Sequence, residues 1–165
     1  MTIETENLRI IALSHLQLVL WMGDLPQLER DLGCEYCGEP MDGHFAQFLR
    51  GHLPKMAADS ENWLFETFWW IICKADAVAI GSLGFKGIAN DLGEIEIGYG
   101  LGEDWRGRGY MAEALAAICD FAKAQSGIKC VIAETEPNNP KSENVLKRCG
   151  FMIYDKKDDN LWWRL

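Results

Sequence analysis

The chain has 165 residues, the length of one domain, and its 48% hydrophobic and 25% charged residues are typical of a globular protein. Its 25 acidic side chains exceed the 16 basic ones, which argues against binding to a nucleic-acid backbone. No apolar run reaches the roughly 18 residues of a membrane-spanning helix. We therefore expect a single domain over residues 1–165 with no nucleic-acid or membrane partner. The N-terminal MTIETENLRI has no apolar leader, so we expect a cytoplasmic location.

The first half of the chain predicts one strand followed by helices. Residues 8–13 read as a strand, and Ser14 is placed to cap a helix that is interrupted around residues 23–26. Residues 33–43 read as a loop. A further helix is indicated by apolar residues three and four positions apart: Phe45, Phe48, Leu49 and Leu53.

The loop over residues 33–43 contains a CxxC pair, Cys34 and Cys37, whereas the other four cysteines lie in apolar runs. A structural zinc site needs a second ligand pair at matching spacing, and His44 and His52 do not provide one. The pair also lacks the strand-to-helix setting of a redox motif. We therefore expect two reduced thiols in a loop and no metal site.

The second half predicts a three-stranded meander over residues 67–73, 78–85 and 94–101. The last of these strands alternates strictly between apolar and polar positions. The later pattern predicts a helix from residue 110 to near 127, a strand at 130–134, a helix at 141–148, and strands at 151–154 and 161–164 around a polar turn at 156–160. This order predicts a mixed α/β sheet. The strands that begin at Glu94 and Cys130 should pair in parallel, because a helix separates them.

The stretch EDWRGRGYMAEAL, residues 103–115, places two arginines and two glycines directly before a helix. Glycine lets the backbone approach a phosphate, a helix start presents free N–H groups, and arginine adds fork-shaped donors. This combination predicts a pyrophosphate site at Arg106, Gly107, Arg108 and Gly109. On the loop alone, an Arg/Gly-rich surface turn remains an alternative.

A dinucleotide site is a second alternative, since Gly107, Gly109 and Ala112 fit GxGxxA, and Glu134 or Glu136 lies at a suitable distance for a ribose contact. Against it, five residues separate the strand from Gly107, whereas the dinucleotide turn follows its strand directly. The chain also offers only one βαβ unit.

The wider segment resembles the GNAT acyl-CoA-dependent N-acyltransferases. Residues 106–111, RGRGYM, match [QR]-x-x-G-x-[GA] except at Met111, where Gly or Ala is usual. EIGY at 96–99, EAL at 113–115, PNNPKSENVL at 137–146 and GF at 150–151 are similar to the branch with the ribosomal-protein alanine N-acetyltransferases. The resemblance is strong over residues 83–151. It is weak over residues 14–62, where these enzymes build their acceptor site.

The resemblance implies a mixed, centrally splayed β-sheet flanked by helices, with acetyl-CoA as co-substrate. It implies that the pantetheine arm binds like an added strand to the backbone near Tyr99, Gly100 and Leu101, with Asn139 hydrogen-bonding the same arm. By itself, Asn139 beside Pro140 would read as a turn residue. The implied pyrophosphate site is the backbone of Arg106, Gly107, Arg108, Gly109, Tyr110, Met111 and Ala112.

Transfer to an amine needs a neutral nucleophile and a proton for the departing thiolate. Glu96, on the polar face of its strand, is the candidate general base through a water molecule, and Glu94 is the alternative. Two solvated glutamates are an equally open interpretation. Many GNAT enzymes carry a tyrosine acid where this chain has Leu146. Ser142 is the nearest replacement, suited to order a water or hold the thiolate, and protonation by solvent stays open.

We therefore hypothesise an N-acetyltransferase, a monomer or homodimer, that acts on a small-molecule or peptide amine. The net charge of −9 weakly favours a cationic acceptor. One alternative is a GNAT-fold CoA-binding module without catalysis, suggested by the missing tyrosine. The other is a nucleotide-dependent oxidoreductase. A covalent mechanism through Cys119 or Cys149 is disfavoured because no histidine lies nearby in the motif region.

Overall fold

The computed structural model describes residues 1–41 and 43–165; Asp42, in the predicted loop, and the side chain of His44 lie outside this description. The strands are β1 (Thr2–Glu4), β2 (Leu8–Ala12), β3 (Glu35–Tyr36), β4 (Phe68–Cys73), β5 (Val78–Phe85), β6 (Glu94–Leu101), β7 (Cys130–Thr135), β8 (Met152–Lys157) and β9 (Asn160–Arg164). The helices are α1 (His15–Gly23), α2 (Leu25–Leu32), α3 (Gly43–Ala58), α4 (Trp63–Glu66), α5 (Tyr110–Lys123) and α6 (Pro140–Arg148). No helix in the described part of the chain is long and apolar enough to cross a membrane.

The strands form one mixed sheet in the order β1-β2-β4-β5-β6-β7-β9-β8, with β3 added beside β5. This confirms the predicted fold class and the antiparallel meander β4-β5-β6. Strands β6 and β7 pair in parallel, as the intervening helix predicts, but only from Glu94–Cys130 to Glu96–Ile132. Beyond this point β6 continues with β5, and β7 continues with β9. The sheet is therefore splayed at its centre.

Helices cover the sheet on both faces, and β4 shows why its sequence is an uninterrupted apolar run. Trp69 and Ile71 pack into the core that contains the apolar side of α5. Trp70 and Ile72 pack on the other face, in the core formed with α1, α2 and α3. Because both faces of β4 are buried, apolar and polar residues do not alternate along it.

Four short elements are absent from the prediction: β1, β3, α4 and a 3-10 turn at Glu103–Trp105. The predicted loop at residues 33–43 contains β3, whose two residues pair in parallel with the start of β5. Elements of two to four residues carry no periodicity, so tertiary pairing decides them. The polar turn predicted at 156–160 is also shorter, because Asp158 and Asp159 form a two-residue hairpin turn with φ of 51° and 67°.

The loop after β3 packs unusually close to the sheet. A Cβ atom at Gly102 would overlap the carbonyl oxygen of Cys37, and one at Gly100 would overlap the Glu39 carboxylate. A Cβ at Gly38 would lie 2.9 Å from the Cα atom of Gly81 in β5. Glycine at these positions lets residues 37–39 lie directly on β5 and β6. As a result, the Glu39 side chain is held at the splayed end of β6.

Glu113, in the first turn of α5, joins that helix to the turn between β1 and β2. Its carboxylate accepts hydrogen bonds from the Thr5 hydroxyl at 2.6 Å, the Asn7 backbone N–H at 2.8 Å and the Asn7 side-chain amide at 3.0 Å. Burial alone raises the pKa of Glu113, but these hydrogen bonds outweigh it and lower the pKa below the usual range. Glu113 therefore has a structural role, in joining α5 to the turn between β1 and β2.

We predict that Glu113→Gln lowers the free energy of unfolding at neutral pH by about 1–3 kcal/mol, since an amide cannot accept all three hydrogen bonds. Because the folded-state pKa is depressed, the carboxylate's contribution is present above its unfolded pKa of about 4.3 and is lost as pH falls through the folded value. Urea denaturation over a pH series measures this. The control is Asp120→Asn, on the exposed side of α5. An Asp120→Asn effect as large as that of Glu113→Gln, or a pH-independent difference, would contradict the account.

Candidate active site

A cleft of about 640 Å³ opens where β6 leaves β7, between the first turns of α5 and α6. It brings together most of the predicted cofactor and catalytic residues from three segments of the chain. They are Tyr99, Gly100, Leu101, Arg106, Gly107, Gly109, Tyr110, Met111, Ala112, Asn139 and Ser142. Arg108, Glu94 and Glu96 are not among the residues that line it.

Among the described residues, no strand pairs with the edge of β6 that faces the cleft. Lys86 N–H donates to the Glu96 carbonyl, and Gly102 N–H donates to the Ile80 carbonyl. Hydrogen-bonded pairs alternate in an antiparallel ladder, so the even-numbered residues of β6 bond to β5 and Tyr99 points its N–H and C=O to the other edge. The ladder with β7 has already ended there. An extended amide ligand can satisfy these two groups of Tyr99.

The backbone of Leu101 is expected to be open to the pantetheine arm, but its carbonyl group has a partner. Its carbonyl oxygen accepts a hydrogen bond from Arg106 Nε at 2.9 Å. Arg106 also pairs with Glu39, at 2.8 Å from Nη2 to Oε1, and with Glu103 at 3.6 Å. The guanidinium therefore links the end of β6 to the loop after β3.

The start of α5 has the form of an anion site. Gly107 and Gly109 have φ of 78° and 89°, a conformation that glycine adopts without strain. Gly109 is the N-cap and has no side chain to cap the helix, and none of the side chains described by the structure takes its place at the first-turn amides. The positive end of the helix dipole adds to their attraction for a phosphate.

Of the two arginines predicted to bind the pyrophosphate, Arg106 lines the cleft and Arg108 does not. The Arg108 guanidinium lies over the Trp105 ring, 5.2 Å from its centroid. Two further cations, Lys141 and Arg148, line the cleft from α6. With Asn144 and Val145 they fall on one helical face, at intervals of three and four residues, so the helical period of this segment could have identified them.

Asn139 and Ser142 are joined at the start of α6. The Asn139 side-chain oxygen caps the helix by accepting from Ser142 N–H at 3.1 Å. Ser142 Oγ lies 2.7 Å from the Tyr99 hydroxyl. Burial raises the pKa of Tyr99 to about 12, although the hydrogen bond with Ser142 lowers it in part. The tyrosine hydroxyl therefore stays protonated at neutral pH beside Ser142.

The sequence did not single out the Tyr99 side chain as a candidate proton donor. The alternation of β6 places it with Ile95, Ile97 and Leu101 on the apolar face, which reads as core. Its pairing with Ser142 depends on how α6 docks beside β6, and no local sequence pattern reports that.

Glu94 and Glu96 lie at the closed end of β6 and are paired with cations. The Glu94 carboxylate contacts Arg164 and accepts from the Asn90 side-chain amide at 3.0 Å. The Glu96 carboxylate contacts Lys86, whose ammonium is also 3.6 Å from Glu134. Their roles as base therefore stay predictions, and in the described part of the chain the acidic residue lining the cleft is Glu39.

The cysteines near the cleft are held as thiols. Burial raises the pKa of Cys119 to about 12 and also raises the pKa of Cys149. Cys149 donates its S–H to the Ala112 carbonyl at 3.4 Å. Because the thiolate is the nucleophilic form, neither side chain is suited to covalent catalysis. The six cysteines are all free, including Cys34 and Cys37.

Comparison with known proteins identifies the family. The model of the acetyltransferase (GNAT) domain matches residues 24–152. The chain belongs to the GNAT acetyltransferase family. Its relatives include the N-acetyltransferase YjdG of Bacillus subtilis (strain 168), which is uncharacterised and 28% identical over 138 residues, or 83% of this chain and 81% of that protein.

A GNAT relative with an assigned acceptor is the ribosomal protein uS5 alanine N-acetyltransferase of Escherichia coli (strain K12). It is 36% identical over 55 residues, which cover 33% of this chain and 28% of that enzyme. Among solved structures, the RimL ribosomal L7/L12 α-N-protein acetyltransferase in complex with coenzyme A superposes with a TM-score of 0.69 at 15% identity. That match covers 100% of this chain and 97% of RimL and shows a common fold. These matches confirm the resemblance to the Rim branch and do not favour an oxidoreductase.

GNAT acetyltransferases use acetyl-CoA. We therefore expect two neighbouring cations of α6, only one of which lines the cleft, to differ in their effect on CoA binding. Arg148 lines the cleft, whereas Lys147 pairs with Glu143 at 3.1 Å and lies over the Trp163 ring. We expect Arg148→Ala to weaken CoA binding about tenfold, with a shallower salt dependence, because a charge facing the phosphates is lost. Calorimetric titration of CoA measures this. Lys147→Ala is the matched control, and equal losses in both variants would contradict this placement of charge.

Proposed function

We propose that this protein, as a single domain over residues 1–165, is an N-acetyltransferase that moves acetyl from acetyl-CoA to a primary amine by direct attack in a ternary complex. The observation that carries the proposal is the juxtaposition in one cleft of the unpaired Tyr99 backbone groups and the uncapped start of α5. The first suits an amide-bearing arm, and the second suits a pyrophosphate. A ligand that joins an amide-bearing arm to a pyrophosphate, as CoA does, would suit both groups.

The residues that would hold the co-substrate follow from this geometry. Tyr99 N–H and C=O would bind the pantetheine amides, and the amides of the first turn of α5 would bind the pyrophosphate. Lys141 and Arg148 would add positive charge to the phosphate side. Asn139 already caps α6 through its oxygen, which leaves its side-chain NH₂ as the group to donate to the pantetheine arm.

Acetyl-CoA supplies a thioester: the amine nitrogen bonds to its carbonyl carbon, the C–S bond breaks, and the thiolate leaves with the electron pair. We propose that Tyr99, held by Ser142, donates a hydrogen bond to the developing thiolate charge. Leu146, which stands where many GNAT enzymes carry a tyrosine acid, is apolar and fully buried. We propose that the Tyr99–Ser142 pair fills that role instead. Glu96 remains the proposed water-mediated base, with Glu94 as the alternative, and each would have to act from within its ion pair.

The acceptor is proposed as a primary amine on a protein N-terminus or a small molecule. The uS5 relative is named for an alanine acceptor, but the match to it covers only 33% of this chain. The net charge of −9 favours a cationic acceptor. We also propose a cytoplasmic location, which suits six free cysteines, and a monomer or homodimer.

An amine panel tests the proposed function. Release of CoA from acetyl-CoA is followed with a thiol reagent in the presence of alanine- and serine-initiated peptides, amino acids, polyamines and aminoglycosides. We expect amine-dependent CoA release, with acetylated product seen by mass spectrometry. CoA binding without transfer to any acceptor would favour the binding-module alternative. Stabilisation by NADH but not by CoA would contradict the proposal.

We predict that Tyr99→Phe lowers kcat at least tenfold while the CoA dissociation constant stays within about threefold, because only a hydroxyl is removed. Ser142→Ala should give a smaller loss in the same direction. Since the pKa of Tyr99 is about 12, deprotonation of this group should cause no fall in kcat below about pH 10. Steady-state kinetics on the acceptor that the panel identifies measures both. Unchanged kcat in Tyr99→Phe would remove the hydroxyl from the mechanism.

A further inference from the structure

Glu39 approaches the splayed strand from the face opposite the Tyr99 side chain. Gly100, against which the carboxylate lies, belongs to the polar face of β6, while Tyr99 faces α5 and α6. The two residues are consecutive in β6. The Glu39 carboxylate and the proposed thioester site therefore lie on opposite faces of β6, at neighbouring residues.

The backbone of Glu39 is held in place by contacts of its loop with β5 and the core. Cys37 N–H donates to the Ala79 carbonyl at 2.7 Å, and the Tyr36 hydroxyl donates to the Glu39 carbonyl at 3.0 Å. The Tyr36 ring in turn stacks on Trp70, with centroids 4.8 Å apart. This loop is thus tied to β5 and to the core, and it presents the carboxylate into the cleft.

Other carboxylates near β6 are less suited to meet a ligand. Glu94 and Glu96 contact Arg164 and Lys86 at the closed end of the strand. Glu103 is 89% exposed and does not line the cleft. Glu39 lines the cleft with its side chain 52% exposed, so it is accessible to an incoming group.

Glu39 pairs with Arg106, whose guanidinium contacts three acceptors: the Leu101 carbonyl, Glu39 and Glu103. A pyrophosphate bound at the start of α5 carries more negative charge than one carboxylate and competes for the same guanidinium. Withdrawal of Arg106 toward the phosphates would leave Glu39 as an unpaired anion. Its carboxylate would then attract a cation on the acceptor side of the strand.

We propose that Glu39 is the acceptor-binding residue, whose carboxylate receives the ammonium group of the amine substrate after the cofactor has drawn Arg106 away. This inference rests on the proposed function and names the recognition element of that same site. It specifies a cationic amine and predicts that amine binding is stronger in the presence of CoA than in its absence.

The test titrates two probes, a short alanine-initiated peptide and spermidine, into the CoA-saturated protein by calorimetry. We expect the wild-type chain to bind at least one of them and Glu39→Gln to weaken that binding at least tenfold, the usual order for loss of a charged hydrogen bond. Glu103→Gln is the matched control, because it removes a carboxylate from the same Arg106 outside the cleft. It should change amine binding less than twofold, and CoA binding should stay within about threefold in both variants.

Gly100→Ala provides a second variant that does not alter the carboxylate chemically. Its Cβ would overlap the end of the Glu39 side chain, which can move, so we expect the melting temperature to be retained and the carboxylate to be displaced. Amine binding should fall as in Glu39→Gln. Retained binding in both variants would overturn the assignment.

The outcomes separate this inference from the function it rests on. Wild-type protein that binds CoA but neither probe, or binds a probe equally with and without CoA, would contradict the role of Glu39 and leave the acetyl-CoA site intact. Wild-type protein that fails to bind CoA would contradict the proposed function itself.

Discussion

The cleft exists because β6 parts from β7 after the Glu96–Ile132 pair. An unpaired backbone N–H and C=O are costly if buried, so the open edge at Tyr99 must face a cleft and be satisfied by solvent or ligand. The same divergence makes room for the first turns of α5 and α6. Strand pairing on either side, of β6 with β5 and of β7 with β9, frames the opening.

Charge is distributed around this opening in a way that the net value of −9 conceals. The start of α5, Lys141 and Arg148 lie on one side of the cleft, and all three attract anions. The opposite face carries Glu39, Glu96 and Glu134. We propose that this acidic chain binds an anionic co-substrate on one side of the strand and a cationic amine on the other. Arg106 reaches both sides, because it contacts the backbone of β6 and the Glu39 carboxylate.

How far the sequence predicts this arrangement depends on whether a feature is local. The bounds of β5 and β6 follow from apolar runs and alternation between turn residues, and they agree with the structure. The parallel pairing of β6 and β7 follows from the helix between them. The placement of Glu39 does not, because it depends on glycines far apart in the chain that let a loop touch the sheet. The Tyr99–Ser142 contact likewise depends on helix docking, over a separation of 43 residues.

Amide hydrogen exchange with and without CoA tests the central claim, that the open edge of β6 and the start of α5 bind the co-substrate. We expect CoA to slow exchange of the Tyr99 amide at least tenfold, together with the amides of the first turn of α5. The Gly100 amide, which already faces β5 in the ladder, should change little. Exchange at Tyr99 that is unaltered by saturating CoA, or equal protection of Tyr99 and Gly100, would contradict it.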